Sequence, residues 1–212
     1  MRRDLQTSLI AVVLMTVVFG LAYPLAFTGV AQVLFPGKAD GSKVTRNGNV
    51  LGSELIGQDF RKIVPSKRKA GPKWTRVPDR RYFQSRPSQT GYDPSVTFFS
   101  NLGPNSKDER DLVKENLAAY LELERPFDPE LSADQVPIDA VTQSASGVDP
   151  HISEANARIQ AHRIAAVRHL PLSRVDDLID EHTDGRFLGL FGEPGVNVLE
   201  LNLALDEEAP AK

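Results

Sequence analysis

The feature that most constrains this chain is a long stretch without charge near its N-terminus. No charged residue occurs between Asp4 and Lys38, and the run from Leu9 to Tyr23 is almost entirely apolar. About 20 helical residues cross a hydrocarbon core of about 30 Å, so we predict a transmembrane helix over residues 9–28. A buried helix of a water-soluble domain is disfavoured, because no polar face interrupts the run.

The flanking charges predict the orientation of this helix. Arg2 and Arg3 precede it, and only Lys38 and Lys43 follow it closely. The positive-inside rule therefore places residues 1–8 in the cytoplasm and exports the rest of the chain. A cleaved signal peptide also begins with arginines and an apolar run, but this run is longer and no A-x-A site follows at the usual distance.

The pattern after the helix predicts one α+β (mixed α/β) extracytoplasmic domain. We assign residues 29–50 to a juxtamembrane linker, with a turn at Asn47-Gly48, residues 51–206 to the domain and residues 207–212 to a tail. The chain contains no cysteine, which excludes disulfides, zinc–thiolate sites and thiol nucleophiles.

The charges of the domain are strongly uneven. Residues 61–86 carry ten Lys or Arg, among them Lys67, Arg68 and Lys69, against the single acid Asp79, whereas residues 87–212 carry 23 acids and ten bases. A nucleic-acid binder usually spreads its basic residues over one face, so this balance argues against nucleic acid as a partner. We predict that residues 61–81 form an exposed basic insertion loop. A solvated insertion, contact with anionic lipid headgroups and docking on an acidic partner remain open for it.

Periodicity and capping signals predict the remaining elements. The predicted helices begin after the N-caps Ser106, Ser153 and Ser173, and the first two end at Arg125-Pro126 and at His169 before Pro171. The predicted strands cover residues 52–60, 136–142, 187–191 and 196–205, the last because Leu199, Leu201, Leu203 and Leu205 alternate with other residues.

Signatures of catalysis are weak. The phosphate-binding patterns GxxxxGK[ST] and GxGxxG and the nucleophile pattern GxSxG are absent. A hydrolase that uses Ser146 and His151 is an open alternative, although groups this close in sequence are typical of a hydrogen-bonded turn. His162 and His169 share a helix face but lie about 10 Å apart, too far to bind one metal ion alone.

Several strings, in order along the chain, resemble the C subunit of the Kdp potassium-transporting ATPase (the KdpC family). The strings are GSELIGQ at 52–58, YFQSRPS at 82–88, SNLGP at 100–104, VPIDAVTQSASGVDPHIS at 136–153, RIAAVR at 163–168 and VNVLELNLALD at 196–206. The sequence departs from the family in the long stretch 61–81 and in Phe98-Phe99, where the family favours small residues.

The resemblance implies an accessory subunit of an ATP-driven potassium importer in a bacterial plasma membrane. Its implied partners are a channel-like potassium-binding subunit, a P-type ATPase subunit, a small membrane subunit and the lipid bilayer. We expect no catalytic residue, metal or tightly bound cofactor in this chain, with ATP and potassium handled by the complex. The family is described as an assembly factor and as a catalytic chaperone that raises the ATP affinity of the ATPase subunit.

The family strings also supply the candidate site residues, which we expect to shape loops or bind partners. They are Arg86, Pro87, Ser88, Ser100, Asn101, Gly103, Pro104, Thr142, Ser144, Ser146, Gly147, Asp149, Pro150, Asn197, Glu200 and Asn202. A free-standing membrane-anchored domain that binds a small extracytoplasmic ligand is the alternative function.

Overall fold

A computed structural model describes residues 1–66, 72–96 and 98–211 of the chain. The chain forms two compact units, residues 1–53 and residues 54–212, which are described separately. Lys67, Arg68 and Lys69 of the predicted basic loop lie outside the described residues.

The first unit begins with one continuous helix over Arg2–Leu34, none of whose side chains is buried. Among the described residues it is the one helix long and apolar enough to cross a membrane. It consists of α1 (Arg2–Val17), a π-helical turn (Val18–Ala22) and α2 (Tyr23–Leu34). Pro24 has no N–H to donate and its ring crowds the carbonyl four residues earlier, and the π turn directly before it accommodates both effects. The helix extends beyond both ends of residues 9–28, the predicted membrane-spanning segment.

The predicted linker at 29–50 contains regular structure. Beyond α2 it holds the short helix α3 (Pro36–Ala39), the strand β1 (Lys43–Arg46) and the start of β2 (Asn49–Ser53). The two strands pair antiparallel around the predicted Asn47-Gly48 turn, in which both residues have positive φ. Because β2 ends at Ser53, the prediction of a strand over 52–60 was wrong for all but its first two residues.

The second unit is a mixed α/β domain, as predicted. Its helices are α4 (Lys107–Glu124), α5 (Glu154–Arg168), α6 (Leu172–Glu181) and α7 (Val198–Glu208), with 3₁₀ turns at Ala133–Gln135 and Ile138–Ala140. Its strands are β3 (Arg61–Pro65), β4 (Trp74–Pro78), β5 (His151–Ile152), β6 (Thr183–Asp184) and β7 (Gly195–Asn197). The last three form one antiparallel sheet in the order β5-β7-β6.

Two predicted helix starts are confirmed and one is wrong. Ser106 Oγ accepts a hydrogen bond from Glu109 N, and Ser153 Oγ accepts one from Asn156 N, as N-caps do. The third helix begins at Leu172 with Pro171 as its N-cap residue, so Ser173 lies inside its first turn. Pro171 fits there because proline has no N–H to lose and its φ is already helical.

The prediction of a strand over 196–205 was wrong, because α7 begins at Val198. Asn197 Oδ1 accepts a hydrogen bond from Glu200 N at 3.3 Å and starts the helix. The buried positions Val198, Leu201 and Leu205 follow helical spacing of three and four residues. The leucines at 199–205 fit both a strand pattern and a helix pattern, and the Asn197 N-cap favours the helix.

Three other segments also differ from prediction. Residues 136–142 contain a 3₁₀ turn in place of a strand, because Asp139 accepts hydrogen bonds from the N–H and the hydroxyl of Ser153. Residues 187–191 form a tight turn closed by one bridge between Phe187 and Phe191. The predicted exposed loop 61–81 contains the hairpin β3–β4, in which prolines are tolerated because both strands are edges.

The core of the second unit forms where α5, α6 and α7 pack against the three-stranded sheet. Ala157, Ala161, Ile164 and Ala165 are buried on α5, as its periodicity predicted. The rest of the core comes from α6, α7, the sheet and Phe83, which lies in a segment without regular structure.

A polar centre sits inside this core and joins α5 to the segment before Phe83. Arg163 is fully buried, and its Nε lies 3.0 Å from both carboxylate oxygens of Glu124, which is also buried. Its Nη1 donates to the carbonyl oxygens of Arg80 and Tyr82 at 2.7 and 2.9 Å. A buried charge is stable only with a counter-charge and satisfied hydrogen bonds, and Arg163 has both.

We predict that Glu124→Leu destabilises the domain by about 3–5 kcal/mol, because it leaves the Arg163 guanidinium buried without a counter-charge. The measurement is urea unfolding of the full chain in detergent, followed by circular dichroism. Asp180→Leu is the control, since Asp180 forms an exposed pair with Arg158 and should cost about 1 kcal/mol or less. Equal losses in the two variants would contradict the role assigned to the buried pair.

Candidate functional site

Two of the family strings meet at Arg86. Its Nη1 donates to Asp149 Oδ2 at 3.0 Å, and its Nη2 lies 3.4 Å from Thr142 Oγ1 and from the carbonyl oxygen of Gln143. Arg86 therefore joins the string at 82–88 to two parts of the string at 136–153. The side chains of Arg86 and Asp149 are half-buried, and the charge-assisted hydrogen bond between them holds their two loops in position.

The loop at 144–147 is held against residues 87–90 by hydrogen bonds. Ser144 N donates to the carbonyl oxygen of Pro87 at 3.0 Å, and Ser88 Oγ donates to the carbonyl oxygen of Gly147 at 2.6 Å. Gly147 has a φ of +74°, and a Cβ there would lie 2.6 Å from Thr90 Oγ1. Glycine is thus required at this position both by its backbone conformation and by the close contact.

The string at 52–58 reaches the same loop through Gly57. Its N–H donates to the carbonyl oxygen of Val148 at 2.7 Å, and a Cβ on Gly57 would lie 2.4 Å from the carbonyl oxygen of Asp149. Asp149 Oδ1 in turn accepts a hydrogen bond from His151 N, which fixes the turn into β5. The backbone here is packed too closely for any side chain at residue 57.

The last string is placed beside Pro150 by the sheet and by the start of α7. Val198 N donates to the carbonyl oxygen of Pro150 at 3.0 Å, and Asn197 Nδ2 donates to the carbonyl oxygen of Glu54 at 2.9 Å. Burial raises the pKa of the nearby Glu200, and the charge of Glu54 adds to the shift. Asn197 and Glu200 therefore belong to the same neighbourhood as the 144–150 loop.

Asn202 has a different role, inside the core. Its Oδ1 accepts a hydrogen bond from Phe83 N at 2.8 Å, and its Nδ2 donates to the carbonyl oxygen of Phe83 at 3.0 Å. The side-chain amide thus pairs with one residue's backbone as a neighbouring strand would. Asn202 anchors the segment that carries Arg86.

The candidate residues at 100–104 lie in the loop that leads into α4. The carbonyl oxygen of Gly103 accepts a hydrogen bond from Ser106 N, and Asn101, at a φ of +52°, donates from Nδ2 to the carbonyl oxygen of Phe99. Ser100 Oγ is buried there, and Pro104 lies in the following turn. Among the described contacts, none joins these residues to the Arg86 cluster.

The Ser146 and His151 side chains have separate partners. Ser146 Oγ accepts a hydrogen bond from Val148 N and lies 3.1 Å from Ser144 Oγ. His151 Nε2 lies 3.1 Å from Asp184 Oδ2, and its Nδ1 lies 4.0 Å from Asp149 Oδ1. A serine hydrolase needs its hydroxyl on one ring nitrogen and a carboxylate on the other, and the described contacts place carboxylates at both.

A cleft of about 280 Å³ lies beside the cluster, between the β3–β4 hairpin and α4. Its charged groups are paired, since Asp59 binds Arg61 at 2.7 Å and Arg76 at 2.9 Å. Burial acts to raise the pKa of Asp59, but the hydrogen bonds and charge of Arg61 outweigh it and lower the pKa. Burial raises the pKa of Tyr92, whose hydroxyl donates to the carbonyl oxygen of Arg86. Within residues 1–66, 72–96 and 98–211, no group of three His, Asp or Glu is placed to hold a metal ion.

The sequence did not predict the role of the polar residues of α5 that hold the segment preceding Arg86. Gln160 Oε1 accepts from Gln84 N at 2.8 Å, its Nε2 donates to the carbonyl oxygen of Gln84 at 3.1 Å, and Arg168 Nε donates to that of Arg81 at 2.8 Å. The available signal was the spacing of Asn156, Gln160 and Arg163, which places three polar side chains on one face of a helix.

We predict that Gly147→Ala destabilises the domain by about 1–3 kcal/mol, because alanine is strained at positive φ and meets Thr90. Gly103→Ala is the matched control, since its Cβ meets nothing within 4 Å and its φ is not positive. Unfolding of both variants in urea is the measurement. A similar loss for the two glycines would mean that the 144–147 loop is not tightly held.

Comparison with known proteins supports the family that the sequence strings indicate. The family model for the K⁺-transporting ATPase c chain matches residues 5–207. A "Potassium-transporting ATPase KdpC subunit" of Koribacter versatilis is 42% identical over 212 residues, covering 99% of this chain and 97% of the relative. Proteins of the same name from Streptomyces avermitilis and Mycobacterium tuberculosis are each 43% identical, covering 97% of this chain and 94% and 99% of the relatives. The chain therefore belongs to the KdpC family, the C subunits of the potassium-transporting ATPase.

Proposed function

We propose that this chain is the accessory subunit of an ATP-driven potassium pump in a bacterial plasma membrane. Its N-terminus lies in the cytoplasm and residues 54–212 lie outside it. In this role the chain stabilises a complex with a channel-like potassium-binding subunit, a P-type ATPase subunit and a small membrane subunit. The match to the KdpC family over residues 5–207 carries the proposal.

The exposed apolar helix supports this role. Arg2–Leu34 has no buried side chain, so its apolar surface needs a bilayer or other membrane helices around it. Arg2 and Arg3 favour a cytoplasmic N-terminus. In this proposal the helix both anchors the chain and packs among the helices of the pump.

The use of the family residues supports a structural role for the domain. The described hydrogen bonds of four of these residues are made to the domain's own loops and backbone; the residues are Arg86, Ser88, Asn197 and Asn202. A rigid shaped surface is what a stabilising subunit requires, since preorganised surfaces lose little conformational entropy on association.

The finer part of the proposal is that the chain raises the ATP affinity of the ATPase subunit, as its resemblance to the family implies. With the domain outside the membrane and ATP inside, the effect has to pass through the membrane segments. Such coupling requires that the chain contacts two states of the pump with different affinity.

The test is purification of the tagged chain in mild detergent after co-expression with the other pump subunits. We expect a stable complex, because the anchor and the domain both contact the pump, and a KM for ATP at least about 5-fold lower than in a complex lacking this chain. A tagged, unrelated single-pass protein is the control. A monodisperse lone chain would contradict the subunit role and favour the free-standing ligand-binding domain. An unchanged KM in an intact complex would contradict only the ATP role.

A further inference from the structure

The tight turn at residues 187–191 exposes four large apolar side chains in five residues. Phe187, Leu188, Leu190 and Phe191 are 71%, 75%, 76% and 63% exposed. We name these four residues with Gly189 the apolar tip. Contiguous apolar exposure of this kind marks an interaction site, because single exposed apolar residues are common but clusters are not.

Hydrogen bonds within the turn hold the backbone of the tip. Phe187 N donates to the carbonyl oxygen of Phe191 at 2.8 Å, and Leu190 N donates to that of Phe187 at 3.2 Å. At its base, Arg186 Nη2 lies 2.8 Å from Glu193 Oε2. A preorganised apolar projection loses little conformational entropy when it is bound.

The backbone conformation shows that leucine at the tip is unfavourable for folding. Leu188 and Gly189 have φ of +54° and +73°, as in the two-residue turns that favour Asn-Gly. A branched apolar residue is strained in this region. The turn therefore carries an exposed leucine at a strained position, where Asn or Gly would fold more easily.

The charges beside the tip point to the kind of surface that it contacts. A recess of about 290 Å³ begins at Glu193 and Pro194, just after the tip, and is lined by four carboxylates, one arginine and one histidine. The carboxylates belong to Asp139, Asp149, Asp184 and Glu193. Glu193 pairs with Arg186, Asp149 pairs with Arg86, and Asp184 lies 3.1 Å from His151. The four carboxylates still outnumber these three basic side chains, and those of Asp184 and Glu193 are largely exposed, so the collar of the tip keeps a net negative charge.

We infer that the apolar tip inserts into an apolar pocket with a basic rim on another subunit of the pump, with lysine or arginine of that rim facing the acidic recess. An anionic lipid surface would repel the carboxylates of the collar. A second copy of this chain would bring two acidic collars together. The inference rests on the proposed function, because it requires a partner subunit.

The first experiment maps the contact by photo-crosslinking in membranes that contain the full set of pump subunits. Leu188→p-benzoylphenylalanine should crosslink to one partner subunit. The same substitution at Ile138, which is 70% exposed outside the tip, is the control and should crosslink at least about tenfold less. Crosslinks only to lipid, only to a second copy of this chain, or to no protein would overturn the inference.

The second experiment separates binding from folding. Leu188→Gly removes the apolar side chain and relieves the positive-φ strain. We expect the crosslink formed by p-benzoylphenylalanine at Leu190 to fall severalfold, while the thermal midpoint of the full chain stays constant or rises. A fall in the midpoint together with the crosslink would mean that the leucine serves the fold alone.

A charge variant distinguishes the three possible occupants. Glu193→Lys should weaken the crosslink to a partner with a basic rim, and it would strengthen contact with anionic lipid or with a second copy. Glu193→Gln controls for loss of the Arg186 pair and should have a smaller effect.

Co-purification of the unmodified chain with the pump distinguishes this inference from the proposed function. If the complex forms but the tip does not crosslink, only this inference fails, and if no complex forms, the proposed function fails.

Discussion

The domain depends on how the backbone of residues 80–84 is satisfied without a strand or a helix. The carbonyl oxygens of all five residues accept hydrogen bonds from side chains of α5 and α7, namely from Arg163, Arg168, Asn202 and Gln160. A buried backbone group without a partner is costly, and here long polar side chains replace the neighbouring strand. The buried Arg163–Glu124 pair is the centre of this arrangement.

The position of the candidate site follows from that arrangement. Phe83 is locked into the core on one side by Asn202, so Arg86, three residues later, emerges at a fixed place beside the 144–150 loop. Gly57 and Gly147 permit the close packing of backbone that surrounds it. The family strings at 52–58, 82–88, 136–153 and 196–206 are far apart in sequence, but hydrogen bonds of Arg86, Gly57, Val198 and Asn202 bring them together.

Local signals predicted the long apolar helix near the N-terminus, the caps Ser106 and Ser153, the buried face of α5 and the mixed α/β class. They failed where two local patterns coincide, as in α7, whose leucines satisfy periods of both two and 3.6 residues. They gave no role to Arg163 or Gln160, because an isolated sequence does not show which backbone segment lies across a helix. The candidate residues were found through family resemblance, and their contacts depend on tertiary structure that no local rule supplies.

The most direct test of this account is hydrogen exchange at the backbone amides of Phe83 and Gln84, measured on the full chain in detergent. Both amides donate to side chains, Asn202 and Gln160 respectively, and lie outside every helix and strand. The account predicts that they exchange as slowly as the amides in the middle of α5, through global unfolding alone. Exchange as rapid as that of the loop at 101–104 would contradict it.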